Sequence, residues 1–512
     1  MLSALLREKY IFISILLINI AFVSILKFMP SMDGPAHLYN SNLLLSHIRY
    51  GFADDFFSVN AFYIPNWLSH VMLASFRIFL PGWLAEKCLI ILYITGLSIS
   101  FRLAVKQLNP GNIAYSHLIF PFIYSFLFHL GFYNYCLSFI FFFYAIYYWL
   151  KNRENHSIKV SLILCLLFIL TFYSSMLTLL FQGLTLGILA LSGKILKIKE
   201  TSSGNPLKYL LRLLITSLPA LVLLFLFYAK TDFPSTSGRI GTAELIKWIG
   251  DARPLIVYNY AIEKILTELI VYIFIGLFLI SVYYRLFRLS SFKPELKDML
   301  TLPALSALVL LFIIPSGGYA GMMSDRLALM FFMILLLFIA TMNMPRNIRY
   351  ILPLFIMIHF ILLGYHFNVA LRKLNDDAKK IVSSSSGIPS GSIVLPLDLT
   401  ENWLGIHFSN YLGVEKDLII LENYEAYVGW FPIRWDGQNL PDIKLGEHSR
   451  INGISWIDNP LAVRSVQIDC IYLYGKITSI NKPELAELRT VLNEEFTMLP
   501  PENDYIRIYM RR

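Results

Sequence analysis

The chain has 512 residues, 56% of them hydrophobic and 15% charged, and its mean hydropathy of +0.60 excludes an ordinary soluble globule. Its formal charge of +9 does not indicate a nucleic-acid partner, because Lys and Arg fall between apolar segments instead of forming one basic patch. The composition is that of a polytopic membrane protein.

In chain order, Arg7 and Lys9 precede an apolar run that is long for a signal-peptide core and is followed by no small-x-small cleavage site, so an uncleaved first span is expected. Apolar windows then recur almost to Phe367 and predict about eleven spans. These are Tyr10–Met29, Leu84–Ala104, Ile113–His129, Leu137–Leu150, Val160–Tyr173, Met176–Leu191, Leu213–Tyr228, Ile265–Tyr284, Leu300–Ile314, Leu327–Met342 and Ile351–His366. The segment Phe62–Leu80 carries Asn66, Ser69, His70 and Arg77 among its apolar residues, the pattern of a helix lying in the interface. With that segment not crossing, the basic loops at Lys106, Lys151–Lys159, Lys194–Arg212, Arg285–Lys297 and Arg346–Arg349 share the side of the N-terminus, which the positive-inside rule places in the cytoplasm. An odd number of spans then puts the first loop and everything after Asn368 outside.

Beyond about Asn368 the composition turns soluble. Ser383–Gly391 reads as a flexible linker, strands are expected at Ser392–Leu397, Asp417–Leu421, Cys470–Tyr474 and Tyr505–Met510, and Pro483–Phe496 has helical periodicity. The expected fold is an α-helical polytopic membrane domain over 1–367, with a first external loop at 30–83, followed by a small extracytoplasmic α/β domain over 368–512. Cys88, Cys136, Cys165 and Cys470 form no CxxC pair, so the cysteines suggest neither a disulfide framework nor a zinc cluster.

The stretch Met32-Asp33-Gly34-Pro35-Ala36-His37 follows the first span directly. Asp-Gly-Pro is a natural helix start, and capping alone accounts for Asp33. It does not account for the residues that follow: Asp33, His37, Asn40 and Ser41 stand at i, i+4, i+7 and i+8, giving one polar helix face at the lip of a membrane, where buried charge is costly.

Together, a first cytoplasmic-to-outside span, an acidic residue directly after it, a long first external loop, about eleven spans and an external C-terminal domain resemble the C-type (GT-C) superfamily of membrane glycosyltransferases. That superfamily includes protein mannosyltransferases, lipid A aminoarabinose transferases and oligosaccharyltransferase catalytic subunits. The resemblance implies that Asp33 is the counterpart of the catalytic first-loop carboxylate; the helical spacing makes His37 its expected catalytic neighbour. It also implies a polyprenyl-phosphate sugar as donor and a lipid, glycan or protein acceptor arriving from outside. A divalent cation, Mg or Mn, is an optional cofactor, since some members use one.

Other residues join the candidate site by their chemistry. Arg326, after the glycine-rich Pro315–Asp325 stretch with Gly317, Gly318 and Gly321, can hold phosphate oxygens bidentately, and Arg77 is a second choice; the alternative for Arg326 is snorkelling and pairing with Asp325. Tyr133 and Asn134 sit at the outer end of a span, where an aromatic belt competes with a sugar contact. Asn40, His407, Tyr424 and Glu425 are candidate substrate contacts; the last three lie in the aromatic, carboxylate-rich stretches Glu401–Tyr411 and Glu422–Trp435, which suit sugar rings or, equally, a domain core. No P-loop, HExxH or GxSxG pattern is present. Two other functions stay open, a transporter or lipid flippase and a non-catalytic envelope-assembly protein, and the expected location is a bacterial inner membrane.

Overall fold

The computed structural model describes residues 2–195, 205–231, 238–288, 294–317, 321–400, 402–436, 468–500 and 503–512. Gly318 and Glu401 lie outside the described residues. The chain divides into two compact units: Met1–Phe22, Ile91–His129 and Tyr133–Val369 form the first, and Val23–Ile90, Leu130–Phe132 and Ala370–Arg512 form the second.

The first unit is helical. Among the described residues of the whole chain, seven helices are long and apolar enough to cross a membrane, including Pro206–Lys230, Tyr260–Phe287 and Met323–Thr341, and Ile158–Ser174 and Met176–Ser192 are shorter apolar helices. The exposed surface of Pro206–Lys230 is a stripe of Leu211, Leu214, Ile215, Leu218, Val222 and Phe225 at helical spacing, which water would penalise and lipid tails accept. By contrast, Met323–Thr341 is apolar all round from Leu327 on and buried on nearly every face, as a helix enclosed by others must be. Polar side chains inside the bundle find partners across helices: Ser138 with Thr178 at 2.7 Å, and Thr171 donating to Gln182 Oε1 at 2.7 Å. The chain is an integral, multi-pass membrane protein with a small C-terminal sheet region.

The window Ile113–His129 is not one helix. It is a 3-10 stretch, Pro110–Ile119, followed by the single turns Phe120–Ile123 and Phe126–His129. Pro121 can start a helix but cannot continue one, and Tyr124 leaves helical geometry at φ −97°, ψ 51°. The first-loop helix Leu68–Arg77 has ten residues. At 1.5 Å per residue it is too short to cross a bilayer core of about 30 Å.

The second unit contains a five-stranded sheet. With β1 Phe57–Val59, β2 Ile393–Leu399, β3 Ile419–Ile420, β4 Ile433–Trp435, β5 Cys470–Gly475, β6 Phe496–Met498 and β7 Ile506–Arg511, the main sheet has the order β3-β2-β5-β7-β6. β3, β2 and β5 are parallel, and β7 and β6 close the far edge antiparallel. The central strands are buried on both faces, which is why their sequences, such as Ile-Val-Leu-Pro-Leu, read as continuous apolar runs.

First-loop residues are built into this unit. β1 pairs antiparallel with β4, stacking Phe57 on Trp435 with ring centroids 4.2 Å apart. In helix Gly34–Tyr50, Tyr39 donates from its hydroxyl to Leu418 O at 2.7 Å and accepts from Ile420 N at 3.0 Å. Its ring reaches there only because position 413 is glycine: a Cβ would lie 2.2 Å from Tyr39 Cδ2. The expected linker at Ser383–Gly391 is instead mostly the end of helix Arg372–Ser384 and a 3-10 turn, Ser385–Gly387. Ser383, Ser384, Ser385 and Ser386 each donate back to the carbonyl three residues earlier, and Ser384 also bonds the buried Tyr472 hydroxyl at 2.8 Å. Serine here extends a helix end by local bonding instead of loosening it.

Candidate functional site

Asp33 stands at the N-cap position of helix Gly34–Tyr50, yet its carboxylate caps nothing. Ser31 Oγ accepts from Gly34 N at 3.2 Å in its place. Capping therefore does not account for Asp33. The backbone around it is fixed by the Asp33 N–H donating to Leu130 O at 3.0 Å and by Gly131, whose φ is +83° and where a Cβ would lie 2.7 Å from Gly34 N and 2.9 Å from Asp33 N. Asp33 is 5% exposed, and its Oδ1 has no hydrogen-bond partner among the described residues. Burial pushes its carboxyl up to about 6, while the neighbouring His407 and His37 act in the opposite direction.

Two histidine–carboxylate pairs flank it. His407 Nε2 is 3.8 Å from Asp33 Oδ1, and its Nδ1 is 2.5 Å from Glu422 Oε1. Ser409 Oγ at 3.0 Å and Asn410 Nδ2 at 2.5 Å donate to the other Glu422 oxygen. Burial lowers His407, but Glu422 outweighs it and the imidazole stays above its ordinary value. The Tyr424 ring stacks on His407 with centroids 4.2 Å apart. His407 is thus held in place by Glu422 and Tyr424 and turned toward Asp33.

On the other side, one turn along the same helix, His37 Nε2 lies 2.8 Å from Gly131 O and Nδ1 lies 2.5 Å from Glu425 Oε1. Both ring nitrogens face acceptors, so both carry protons. Burial works against that charge, and Glu425 prevails, raising His37. His70 Nε2 is 2.7 Å from Glu425 Oε2 and its Nδ1 3.2 Å from Asn66 O, and burial lowers it. Burial would raise Glu425, but His37 and His70 hold it down at about 2. Asn40 Nδ2 donates to Glu425 Oε2 at 2.8 Å, and Asn40 and Asn423 exchange amide bonds at 2.8 and 3.0 Å.

His37, His70 and Glu425 form the one group of three such ligands that can hold a metal ion among the described residues. Their facing atoms are 2.5, 2.7 and 3.2 Å apart, and the His37 Nε2 bond to Gly131 O is the outer support a metal-bound histidine needs. Two imidazoles and one carboxylate suit zinc; Mg or Mn, the ions expected from the resemblance, prefer oxygen donors. An ion here would replace the proton on His37 Nδ1.

The second unit therefore brings together Asp33, His37, Asn40, His407, Tyr424 and Glu425, and adds His70, Glu422 and Asn423, which sequence reasoning did not place in the site. Arg77 is elsewhere in that unit: its Nη2 donates to Asn42 Oδ1 at 2.9 Å and to Val414 O, and it is 3.9 Å from Glu415. Tyr133, Asn134 and Arg326 belong to the first unit. Tyr133 and Asn134 are buried at the start of helix Tyr133–Asn152. Asp325 faces Arg253 at 3.6 Å, while the Arg326 guanidinium lies 5.7 Å from the Tyr135 ring centroid and Tyr135 OH donates to Arg326 O at 2.6 Å.

Neither a family model nor a curated protein matches the sequence. Among solved structures, the chain is similar to ArnT from Cupriavidus metallidurans, solved with undecaprenyl phosphate bound, with a TM-score of 0.54 over 98% of this chain and 97% of that one, at 10% identity. The chain shares the fold of that structure. At that identity the likeness concerns the path of the backbone, and the side chains of the site carry their own argument.

Proposed function

We propose that the protein is a membrane glycosyltransferase that moves a sugar from a polyprenyl-phosphate donor to an acceptor hydroxyl on the extracytoplasmic side of a bacterial inner membrane, with Asp33 as general base. The observation that carries this reading is a buried carboxylate with an oxygen free of hydrogen bonds, turned toward a histidine that a second carboxylate holds in place. Asp33 caps nothing, and its Oδ1 makes no hydrogen bond beyond the 3.8 Å approach of His407 Nε2. The fold supports the donor class, since ArnT shares it and was solved with undecaprenyl phosphate.

The acceptor oxygen attacks the anomeric carbon while the bond from that carbon to the phosphate oxygen breaks. The polyprenyl phosphate leaves as a dianion that needs no proton, so one base suffices, and the acceptor proton passes to Asp33. A carboxylate lifted to about 6 is still ionised at neutral pH and is a better base than an exposed one. His407 acts as a positioning residue, favouring the ionised form of Asp33. A single displacement inverts the anomeric configuration. The donor phosphate needs a cation to offset its charge. His37, His70 and Glu425 would hold a divalent ion when one is bound, supplying local positive charge.

The test is transfer from defined undecaprenyl-phosphate sugars by the full chain in lipid nanodiscs. Inverted product from the wild type and none from Asp33→Asn are expected; retained configuration, or transfer by Asp33→Asn at the wild-type rate, overturns the base assignment.

A further inference from the structure

The proposed chemistry leaves the Tyr424 hydroxyl without a task. Tyr424 opens the short helix Tyr424–Val428, whose N-cap Asn423 accepts from Ala426 N at 3.3 Å. Because Asn423 also exchanges amide bonds with Asn40, the start of this helix is tied to helix Gly34–Tyr50, which carries Asp33 at its own N-cap. The Tyr424 ring is fixed on two sides. It stacks on His407 at an interplanar angle of 23°, and it meets Phe431 edge to face with centroids 6.2 Å apart.

A tyrosine at a surface normally buries its ring and turns its hydroxyl to water. Tyr424 does the reverse: its ring is partly exposed, while Oη is buried and makes no hydrogen bond among the described residues. Asp33 lies close enough for each group to act on the other. Burial and then Asp33 push the Tyr424 hydroxyl up, so it keeps its proton, and against the burial that raises Asp33 this hydroxyl acts in the opposite direction. A buried donor thus stands beside a buried acceptor, Asp33 Oδ1, and neither is bonded, although buried polar atoms are nearly always satisfied. A hydroxyl satisfies both, since it accepts from the one and donates to the other; an ether oxygen has no proton to give, and an amide nitrogen has no lone pair to offer. Phe431 is partly exposed and packs against His37, His70 and Tyr424, so rotation of that one ring would open the pair to a ligand.

We propose that the reacting hydroxyl of the acceptor binds between Tyr424 and Asp33, accepting a hydrogen bond from Tyr424 Oη and donating to Asp33 Oδ1. The assignment rests on the transferase reading and adds a second residue to it. As the acceptor oxygen bonds to the anomeric carbon and the bond from that carbon to the phosphate oxygen breaks, the acceptor proton passes to Asp33 and Tyr424 keeps its own. Tyr424 orients the attacking oxygen and stabilises the charge that develops on it.

Tyr424→Phe keeps the ring against His407 and Phe431 and removes the hydroxyl alone. With undecaprenyl-phosphate sugars as donors and octyl glucoside as the hydroxyl acceptor, kcat/KM for the acceptor should fall ~10- to 100-fold and the donor KM should not change. The ascending limb of the pH profile should move to higher pH, because Tyr424 lowers Asp33 while His407, His37 and Glu425, the other groups acting on that carboxyl, stay in place. The variant should melt at or above the wild-type temperature, having lost a buried hydroxyl that bonds to nothing. Wild-type kcat/KM, a change confined to the donor KM, or a lower melting temperature with turnover per folded molecule unchanged overturns the assignment. If Asp33→Asn is inactive while Tyr424→Phe is fully active, this assignment fails and the base reading stands. If the wild type transfers to neither octyl glucoside nor water with any donor, the transferase reading fails and this assignment with it.

Discussion

Two buried histidine–carboxylate networks, one in each unit, use the same residue types to opposite ends. In the first unit Glu263 is fully occupied: it accepts from the backbone N–H groups of Val257, Tyr258 and Asn259 at 2.6, 2.8 and 2.7 Å and lies 3.1 Å from His366 Nε2. It gathers the turn that leads into helix Tyr260–Phe287, which is structural work. In the second unit Asp33 has no cap to make and keeps Oδ1 unbonded. Asp33 thus differs from Glu263 in keeping one oxygen free of hydrogen bonds, while burial and a histidine neighbour are common to both.

The largest effects should come from exchanging the two carboxylates for amides. Asp33→Asn should lower transfer by ~10²- to 10⁴-fold, the range of a lost general base. Its folded-state carboxyl sits at about 6 against an ordinary value of 3.8, so the folded form binds more protons between those values and stability falls as pH rises through the window. Above it the charged form costs up to about 3 kcal/mol. Asp33→Asn should therefore melt higher than the wild type at pH 7 and not at pH 4. Glu263→Gln should do the reverse, losing about 1–3 kcal/mol of stability with turnover per folded molecule unchanged. A Glu263→Gln protein that melts normally but is inactive would end the contrast.

Next in size is His407. Wild-type activity should rise with pH through about 6 as Asp33 ionises. His407 lowers Asp33, so His407→Gln removes a cation and the ascending limb should move to higher pH, with kcat falling about tenfold and KM little changed. Glu422→Gln should move the limb the same way by less. A limb that stays in place in both variants would mean that His407 does not face Asp33 during turnover.

Glycine substitutions sharpen the comparison at backbone level. Gly131→Ala forces a Cβ against Gly34 N and Asp33 N at φ +83° and should cost about 2 kcal/mol or more, with kcat/KM lowered because Asp33 shifts. Gly429 has φ +69° with nothing within 4 Å of a Cβ, so Gly429→Ala should cost only about 1 kcal/mol, read from thermal melts, and leave kcat/KM alone.

Half of this site is legible in the amino-acid sequence. Asp33, His37 and Asn40 announce themselves by helical spacing after an apolar run, and the strands of the second unit by continuous apolar stretches. His70 is visible there only as part of a polar stripe, because its partner Glu425 lies 355 residues along the chain and nothing local marks the pairing. Glu422 is hidden for a different reason: its partners His407, Ser409 and Asn410 are near in sequence, but their stretch reads equally as a domain core. The serine run before β2 misleads because serine composition marks linkers on average, while back-bonding to i−3 carbonyls depends on the helix already being there. Pro121 and the bend at Tyr124 interrupt an apolar window that hydropathy alone reads as continuous.

The smallest effect concerns the residue four before His70. Asn66 has φ +63°, a left-handed conformation that asparagine adopts at less cost than alanine, and its carbonyl lies 3.2 Å from His70 Nδ1. Its side chain donates to Trp430 O at 3.3 Å, a long bond of little strength. If the backbone conformation is what matters, Asn66→Gly should stay within about 0.5 kcal/mol of the wild type, while Asn66→Ala loses about 1 kcal/mol. In both, kcat should hold, because Glu425 and Asn66 O fix the His70 ring from opposite nitrogens and the carboxylate contact, at 2.7 Å, is the shorter. Equal losses in the two variants would assign the effect to the amide side chain. A fall in kcat with Asn66→Gly would show that the His70 side of the site, and not Asp33 alone, is tuned to its backbone.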